Sequence, residues 1–260
     1  MEIQLIRNAT MKLSMAGKTI LTDPVLLPRH GIDSFAGIEK NPTVDLPLPV
    51  ADILKNIDMV VVSHLHQDHF DSAAKEHLPK GTPIYCQPDD ADKIRAYGFH
   101  AVHGVDTAAD AGGIAITRTP SAHAGNRKWR DILGNVSGFI FRADSEPSVY
   151  WAGDTIFNDD VKKILQSEKP DIILTHSCGA VLDDSGPIVM DAEQTIAVCR
   201  AAPWATVVAV HLEALDHGTV SRRDVRELAE KEGIRAAQLL IPDDGERLRF
   251  QQIQRKGKKP

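Results

Sequence analysis

The most chemically informative segment of the chain is a short run of side chains that bind metal ions. Three imidazoles and one carboxylate fall within six residues, in the order His64-Leu65-His66-Gln67-Asp68-His69. Zinc, iron and manganese take nitrogen and oxygen donors of these kinds. His64 and His66 are two residues apart and can share a face, whereas Asp68 and His69 can turn towards a second ion nearby. The run predicts a metal site rather than a packed core.

Three further metal-capable residues each stand at the end of a predicted strand. His123 follows the strand predicted for Ile114 to Thr119, and Asp154 lies in a Gly-Asp-Thr turn after another strand. His211 follows the apolar run Thr206 to Val210. Taken alone, each is more typical of a strand-end cap or an ordinary histidine. Sites in α/β proteins are assembled at strand ends, so the histidine run makes all three candidates.

The elements that must position these residues alternate between apolar runs and amphipathic stretches. Short strands open the chain and recur in its middle, and strands lead into helices in both halves. The segment from Pro24 to Pro49 has no clear period and predicts a long loop, which is often functional. The pattern predicts an α/β fold of two mixed sheets packed face to face and covered by helices. We expect one domain over residues 1–254 and a frayed basic tail over residues 255–260.

Composition narrows the class of protein. The chain has 260 residues, of which 42% are hydrophobic and 25% are charged, as in ordinary globular proteins. Its net charge of -6 argues against a nucleic-acid partner. Three cysteines without paired spacing are typical of a reducing compartment. Because the sequence also lacks a signal peptide and an apolar run long enough to span a membrane, we expect a cytoplasmic protein.

The order of the candidate residues resembles the metallo-β-lactamase superfamily. In both, an HxHxDH run is followed by a lone histidine, an aspartate in a Gly-Asp-Thr turn and a final histidine, and the similarity covers nearly the whole chain. Thr22-Asp23-Pro24 and the surroundings of the run also resemble the branch with ascorbate-6-phosphate lactonase and N-acyl-phosphatidylethanolamine phospholipase relatives. The resemblance implies an αββα sandwich with metals at one edge of the two sheets. The motif is specific for the superfamily and nearly silent about substrate.

The same resemblance implies a dinuclear site with a complete ligand set. It assigns the first ion to His64, His66 and His123, the second ion to Asp68, His69 and His211, and the bridge between them to Asp154. The expected cofactor is a pair of divalent metal ions, zinc first, with manganese or iron as alternatives.

The implied reaction is hydrolysis of an ester, a lactone or a phosphoester by a metal-activated hydroxide. Asp68 is the candidate catalytic residue, since its counterpart in similar enzymes orients the nucleophile and passes a proton to the leaving group. Residues that hydrogen-bond to the ligands should fix the imidazole tautomers. The candidates are Asp23, His176 and His217. Asp23 also suits plain turn capping, and Cys178 is more typical of a small buried thiol.

A basic run follows His123 by four residues, Arg127-Lys128-Trp129-Arg130. A loop that leaves a metal ligand has little room before its side chains overhang the site. Arginine grips carboxylates and phosphates at two points, and Trp129 can cover an apolar or planar group. The run therefore predicts a small-molecule substrate with an anionic group remote from the scissile bond. The alternative is a solvated loop whose charges offset nearby acids.

Three other functions remain open at this stage. A mononuclear iron oxidoreductase occurs on the same fold with a similar signature, and one iron per chain with oxygen consumption would identify it. A nuclease of the RNase Z type is disfavoured by the acidic balance. A non-catalytic metal-binding scaffold is disfavoured by the full ligand set. Whether the protein forms a homo-oligomer is not decided by the sequence.

Overall fold

The computed structural model describes residues 1–252, which form fourteen strands and seven helices. The strands are β1 (Glu2–Arg7), β2 (Thr10–Met15), β3 (Lys18–Thr22), β4 (Met59–Val62), β5 (Ile84–Cys86), β6 (Val102–Gly104), β7 (Ala108–Asp110), β8 (Ala115–Pro120), β9 (Ser137–Arg142), β10 (Val149–Trp151), β11 (Ile172–His176), β12 (Thr206–Val210), β13 (Leu239–Leu240) and β14 (Arg247–Arg249). The helices are α1 (Val50–Leu54), α2 (Ser72–His77), α3 (Pro88–Ala96), α4 (Arg127–Leu133), α5 (Asp159–Glu168), α6 (Ala192–Ala201) and α7 (Arg222–Lys231).

The strands form two sheets of mixed direction. The first has the order β14-β1-β2-β3-β4-β5-β6 and the second the order β13-β12-β11-β10-β9-β8-β7. In each sheet an antiparallel meander continues into parallel strands, β3 to β6 in the first and β10 to β13 in the second. Parallel strands need helical crossovers, which here include α2, α3, α5 and α6. The site-bearing strands therefore end at one edge of the sandwich.

Three layers of buried apolar side chains explain the architecture. The middle layer joins the two sheets, since it contains Leu13 and Val61 from the first and Phe139 and Leu174 from the second. The outer face of the first sheet packs on α1, α2 and α3. The outer face of the second packs on α5, α6 and α7. The prediction of two mixed sheets flanked by helices is confirmed.

The long loop predicted from Pro24 to Pro49 is present between β3 and α1, with only an isolated bridge between Ile32 and Asn41. Another segment differs from the sequence-based expectation. The basic run, predicted as a loop, instead begins helix α4, because the Asn126 side chain accepts a hydrogen bond from the backbone N–H of Trp129 and caps it. The predicted tail over residues 255–260 lies outside the described residues. No helix within residues 1–252 has the length and apolar character to cross a bilayer.

Candidate metal centre

The candidate site lies where several strands end at one edge of the sandwich. The HxHxDH run leaves β4, Asp154 follows β10, and His211 follows β12. Gly153 has a φ of 65°, and a Cβ there would lie 2.7 Å from the carbonyl oxygen of Ser137. Only glycine fits this turn, which directs Asp154 into the site. His211 also has a positive φ, 62°, a strained conformation that clusters at functional positions.

One group of donor atoms consists of three imidazoles. His64 Nε2 and His66 Nδ1 are 2.9 Å apart. The donor atoms of His64, His66 and His123 all lie within 4.8 Å of one another. His64 and His123 are buried, and His66 is partly exposed. These three nitrogens converge on one point, as metal coordination requires.

A second group lies directly beside the first. His69 Nε2 and His211 Nε2 are 3.3 Å apart. Asp68 Oδ2 lies 3.4 Å from His69 Nε2 and 3.7 Å from His211 Nε2. Two imidazoles and one carboxylate oxygen thus face a common point.

Asp154 lies between the two groups. Its Oδ2 is 3.4 Å from His123 Nε2 and 4.0 Å from His64 Nε2 on one side, and 3.2 Å from His69 Nε2 on the other. Its Oδ1 is 3.8 Å from His211 Nε2. One carboxylate therefore reaches donor atoms of both groups, and all seven predicted metal-binding residues lie in one place.

Hydrogen bonds to backbone carbonyls define which ring nitrogens are free. His66 Nε2 lies 3.0 Å from the carbonyl oxygen of Leu133, and His123 Nδ1 lies 2.8 Å from that of Ile188. A carbonyl oxygen only accepts, so these two nitrogens carry the hydrogens. The lone pairs are then on His66 Nδ1 and His123 Nε2, the atoms that face the common point.

Asp23 is brought against the metal-binding run, where the sequence placed it as a candidate. Its Oδ2 lies 2.6 Å from His69 Nδ1, which leaves His69 Nε2 facing the site. The same carboxylate accepts hydrogen bonds from the backbone N–H and the hydroxyl of Ser63. The Ser63 hydroxyl is in turn 2.9 Å from His64 Nδ1. Asp23 thus orients one imidazole directly and a second through a serine.

Cys178 and Asn8 also contact candidate metal ligands. The Cys178 thiol is buried and lies 3.3 Å from His211 Nδ1. Asn8 donates a hydrogen bond from its side-chain Nδ2 to the backbone carbonyl of Asp68, and its backbone carbonyl accepts one from the backbone N–H of His211. Sequence reasoning missed Asn8, which lies between β1 and β2 with a φ of 60°. The signal available was an asparagine in a tight turn, since asparagine tolerates positive φ.

His176 contacts the shared carboxylate. The indole N–H of Trp151 donates to His176 Nε2 at 2.9 Å, so His176 Nδ1 carries the hydrogen and donates to Asp154 Oδ1 at 2.5 Å. Burial lowers the pKa of His176 to about 4, although the hydrogen bond to Asp154 opposes it. The ring is therefore neutral. In this tautomer His176 orients Asp154 and has no nitrogen free to bind a metal ion.

We expect Trp151→Phe to weaken metal binding by about 10-fold to 100-fold, because it frees His176 to rotate away from Asp154. A chelator competition titration would measure the metal dissociation constant. Phe139→Leu is the matched control. It changes a ring that stacks on Trp151, with centroids 6.0 Å apart, and it keeps the indole N–H that donates to His176. Equal metal affinity in the wild-type protein and Trp151→Phe would contradict this role.

The electrostatics of the cluster favour a cation. Burial alone would raise the pKa of Asp154, but the imidazoles of His69, His211 and His123 hold it well below its ordinary value. Conversely, burial would lower the pKa of His69, and the carboxylates of Asp154, Asp68 and Asp23 raise it well above its ordinary value. Buried carboxylates thus stabilise positive charge at the centre of the cluster. Together with the freed imidazole lone pairs, this charge balance fits a bound metal.

A cavity of about 530 Å³ opens onto these residues. Its polar lining includes Ser34, Gln67 and His217 besides metal-binding residues. Its apolar lining consists of Phe35, Leu65, Leu133, Ala180, Leu182, Ile188 and Val189. No lysine or arginine of residues 1–252 lines it. A groove beside α2 touches none of the seven candidate ligands, and a smaller cavity of about 340 Å³ touches only His64 and His66. The cavity of about 530 Å³ borders residues of both donor groups and is therefore the candidate substrate site.

The predicted substrate-binding residues lie on helix α4, outside this lining. Arg127 is exposed and pairs with Asp131 of the same helix. Lys128 and the Trp129 indole N–H both contact Asp184, and Arg130 reaches the backbone carbonyl of Gly125. Only Leu133, at the end of the helix, borders the cavity. A role for the basic run in substrate binding stays a prediction.

Comparison with known proteins places the chain in the family that its fold and its histidine run indicate. A family model described as "Beta-lactamase superfamily domain" matches residues 18–212. The UPF0173 protein YddR of Bacillus subtilis (strain 168) is 34% identical over 255 residues, which cover 96% of this chain and 100% of that protein.

Two solved structures are similar in sequence as well as in fold. A possible metal-dependent hydrolase from Veillonella parvula DSM 2008 has a TM-score of 0.91 and 33% identity, covering 95% of this chain and 98% of that chain. An isothiocyanate hydrolase from Delia radicum gut bacteria has a TM-score of 0.91 and 37% identity, covering 96% of this chain and 100% of that chain.

Proposed function

The chain belongs to the β-lactamase superfamily domain family and is a metal-dependent hydrolase, and we propose that it acts through a dinuclear metal centre on a small, uncharged substrate. The observation that carries the dinuclear proposal is the position of Asp154, whose carboxylate reaches donor atoms of two adjacent groups. Zinc is the proposed ion. The narrower resemblance to the lactonase and phospholipase branch stays a prediction.

The protein's own residues would divide the chemistry as follows. When bound, the metal ions would lower the pKa of water and polarise the electrophilic group of the substrate. Asp68 lines the cavity and would accept a proton from the attacking water and return it to the leaving group. The apolar walls would exclude competing water and hold the organic part of the substrate.

An uncharged substrate is supported by the chemistry of the cavity. Phe35, Leu65 and Val189 are among the apolar side chains of its lining, and no lysine or arginine of residues 1–252 lines it to pair with an anionic group remote from the metal ions. Burying an unpaired charge is costly. An uncharged carboxylic ester or lactone is therefore the leading candidate, and a substrate with an anionic group remote from the scissile bond fits the lining less well. An anionic substrate would have to engage helix α4 outside the lining.

Isothiocyanates are a second candidate, favoured by one relative and by the same apolar lining. The solved isothiocyanate hydrolase is 37% identical along nearly the whole of both chains. In such a reaction water adds across the C=N bond to give a thiocarbamic acid, and cleavage of the C–N bond then releases an amine and carbonyl sulfide. The group –N=C=S is uncharged, which suits the apolar lining, and it is electrophilic at carbon, which suits attack by a metal-activated hydroxide.

A matched substrate panel would test the proposal. The zinc-loaded protein would be given benzyl isothiocyanate, benzyl acetate, an aliphatic δ-lactone, the anionic 4-carboxybenzyl acetate and bis(4-nitrophenyl) phosphate. We expect turnover of at least one uncharged substrate, loss of turnover with a chelator, and recovery with zinc. Preference for the carboxylated ester over benzyl acetate would favour an anionic substrate. Turnover of the phosphodiester alone, or of none of the five, would overturn the proposal.

A further inference from the structure

His217 lines the cavity, and neither nitrogen of its ring has a hydrogen-bond partner among residues 1–252. The residue is 8% exposed, and its Nδ1 is buried without a partner. Its backbone is fixed, because the carbonyl oxygen accepts from the N–H of Val181 at 3.0 Å. A buried polar group without a partner costs free energy and needs an explanation.

The sequence suggested that His217 orients a metal ligand, but its ring forms no hydrogen bond to a candidate ligand among residues 1–252. His176 and Asp23 each form a hydrogen bond with a metal-binding side chain. Within the described part of the chain, His217 forms none, although it borders the same cavity as Asp68. A partner for its imidazole must therefore come from the contents of the cavity.

The loop of residues 34–41 holds the His217 ring in place. The carboxylate of Asp216 accepts hydrogen bonds from the Ser34 hydroxyl, the Asn41 side-chain amide and the backbone N–H groups of Phe35, Ala36, Ile38 and Glu39. The Asp216 N–H in turn donates to Asn41 Oδ1 at 2.8 Å. The loop is thereby bound to the residue that precedes His217.

Phe35 connects the loop to the His217 ring inside the cavity. Its ring meets the His217 ring edge to face, with centroids 5.1 Å apart and an interplanar angle of 90°. Ser34 and Phe35 also line the cavity beside His217. The loop therefore limits the rotation of His217 and forms one wall with it. A fixed ring with an unused donor and an unused acceptor is suited to binding a polar atom.

We propose that His217 contacts the substrate directly and hydrogen-bonds one of its polar atoms, while Asp216 and the 34–41 loop act as positioning elements for that contact. This inference rests on the proposed function for its activity readout, and a binding measurement tests it separately. The polar atom belongs to the part of the substrate that occupies the cavity bordered by both His217 and Asp68. The oxygen of an uncharged ester or the nitrogen of an isothiocyanate meets this requirement.

Three substitutions at His217 would separate contact from space filling. Alanine removes the ring, phenylalanine keeps an aromatic ring against Phe35 without nitrogen, and glutamine restores an amide donor. We expect His217→Ala and His217→Phe to lower kcat/KM by about 10²-fold on the best substrate of the panel. His217→Gln should recover part of that loss. All three should keep the wild-type metal content and the absorption spectrum of the cobalt-substituted protein.

A binding measurement does not depend on turnover. Phenylacetohydroxamic acid, which joins a metal-chelating hydroxamate to an apolar benzyl group, would be titrated into the metal-loaded protein by calorimetry. We expect its Kd to rise about 10-fold in His217→Ala and His217→Phe, in line with the loss of one hydrogen bond. His100→Ala, an exposed position outside the cavity, is the control and should bind the probe as the wild type does.

The outcomes distinguish the two proposals. Full activity and unchanged probe affinity in His217→Phe would show that the ring only fills space and would overturn the inference. Loss of metal in the His217 variants would also overturn it, because the residue would then support the metal centre. If the wild-type protein turns over no substrate of the panel, the proposed function fails, and the hydroxamate titration still decides the role of His217.

Discussion

Replacing Asp154 by alanine is expected to lower metal content and to abolish hydrolysis together, with a loss of at least ~10³-fold in kcat/KM. The reason is that its two oxygens reach donor atoms of both groups, His69 on one side and His123 on the other. Without the carboxylate, two cations held close together would lack the negative charge that offsets their repulsion. Elemental analysis of gently purified protein and kinetic assays on the same preparation would measure both effects.

Two controls make this result specific. Asp160→Ala removes an exposed carboxylate of helix α5 that pairs only with Lys163 within the described residues, and it should leave metal content and activity unchanged. Asp154→Asn keeps the size of the side chain and should still bind less metal, because it lacks the charge. An Asp154→Ala protein with normal metal content and full activity would rule out the bridging role. One iron per wild-type chain with oxygen consumption would favour the oxidoreductase alternative.

Much of the scaffold could be predicted because many of its strands are continuous apolar runs. Met59–Val62 and Thr206–Val210 are buried on both faces of their sheets, so they read as continuous apolar runs. The ends of such runs identified His64 and His211 without any structural knowledge. Strands β6 and β7 were not predicted, because Val102–Gly104 and Ala108–Asp110 are three residues each and largely exposed.

The surroundings of the metal-binding residues could be predicted only in part. Asp23 was suggested by its turn, but its partner His69 is 46 positions away. The indole of Trp151 meets His176 across two neighbouring strands of the second sheet, and Asn8 and Asp68 follow two different strands, β1 and β4, of the first. Sequence spacing carries no information on such contacts, so the tautomers of the imidazoles could not be assigned from it.

The cavity wall was the least predictable part. The contacts between Asp216 and the 34–41 loop join residues more than 170 positions apart, as in the hydrogen bond of Asn41 to Asp216. A loop without periodicity gives no signal of where it folds back. The basic run on helix α4 gave a strong local signal, yet Arg127 and Lys128 pair with Asp131 and Asp184 on the surface. Local charge density alone therefore did not identify what lines the cavity.

A comparison of histidine variants should separate the metal-binding residues from other histidines of the chain. His64→Ala, His123→Ala and His211→Ala are each expected to lower kcat/KM by about 10²-fold to 10³-fold. Each substitution removes a buried nitrogen that belongs to one of the two groups of donor atoms. His77→Ala and His100→Ala should change it less than about 2-fold, since both side chains are exposed and lie outside the cavity.

Metal stoichiometry adds a second, independent readout to this comparison. His64→Ala and His123→Ala remove donors of the group that contains His66, whereas His211→Ala removes a donor of the group that contains His69. If the two groups bind separate ions, one class of variant should lose one ion and keep the other under mild chelation. Circular dichroism would show that each variant remains folded. Comparable losses of activity across all five substitutions would mean that the metal-binding assignment does not distinguish the site from the rest of the protein.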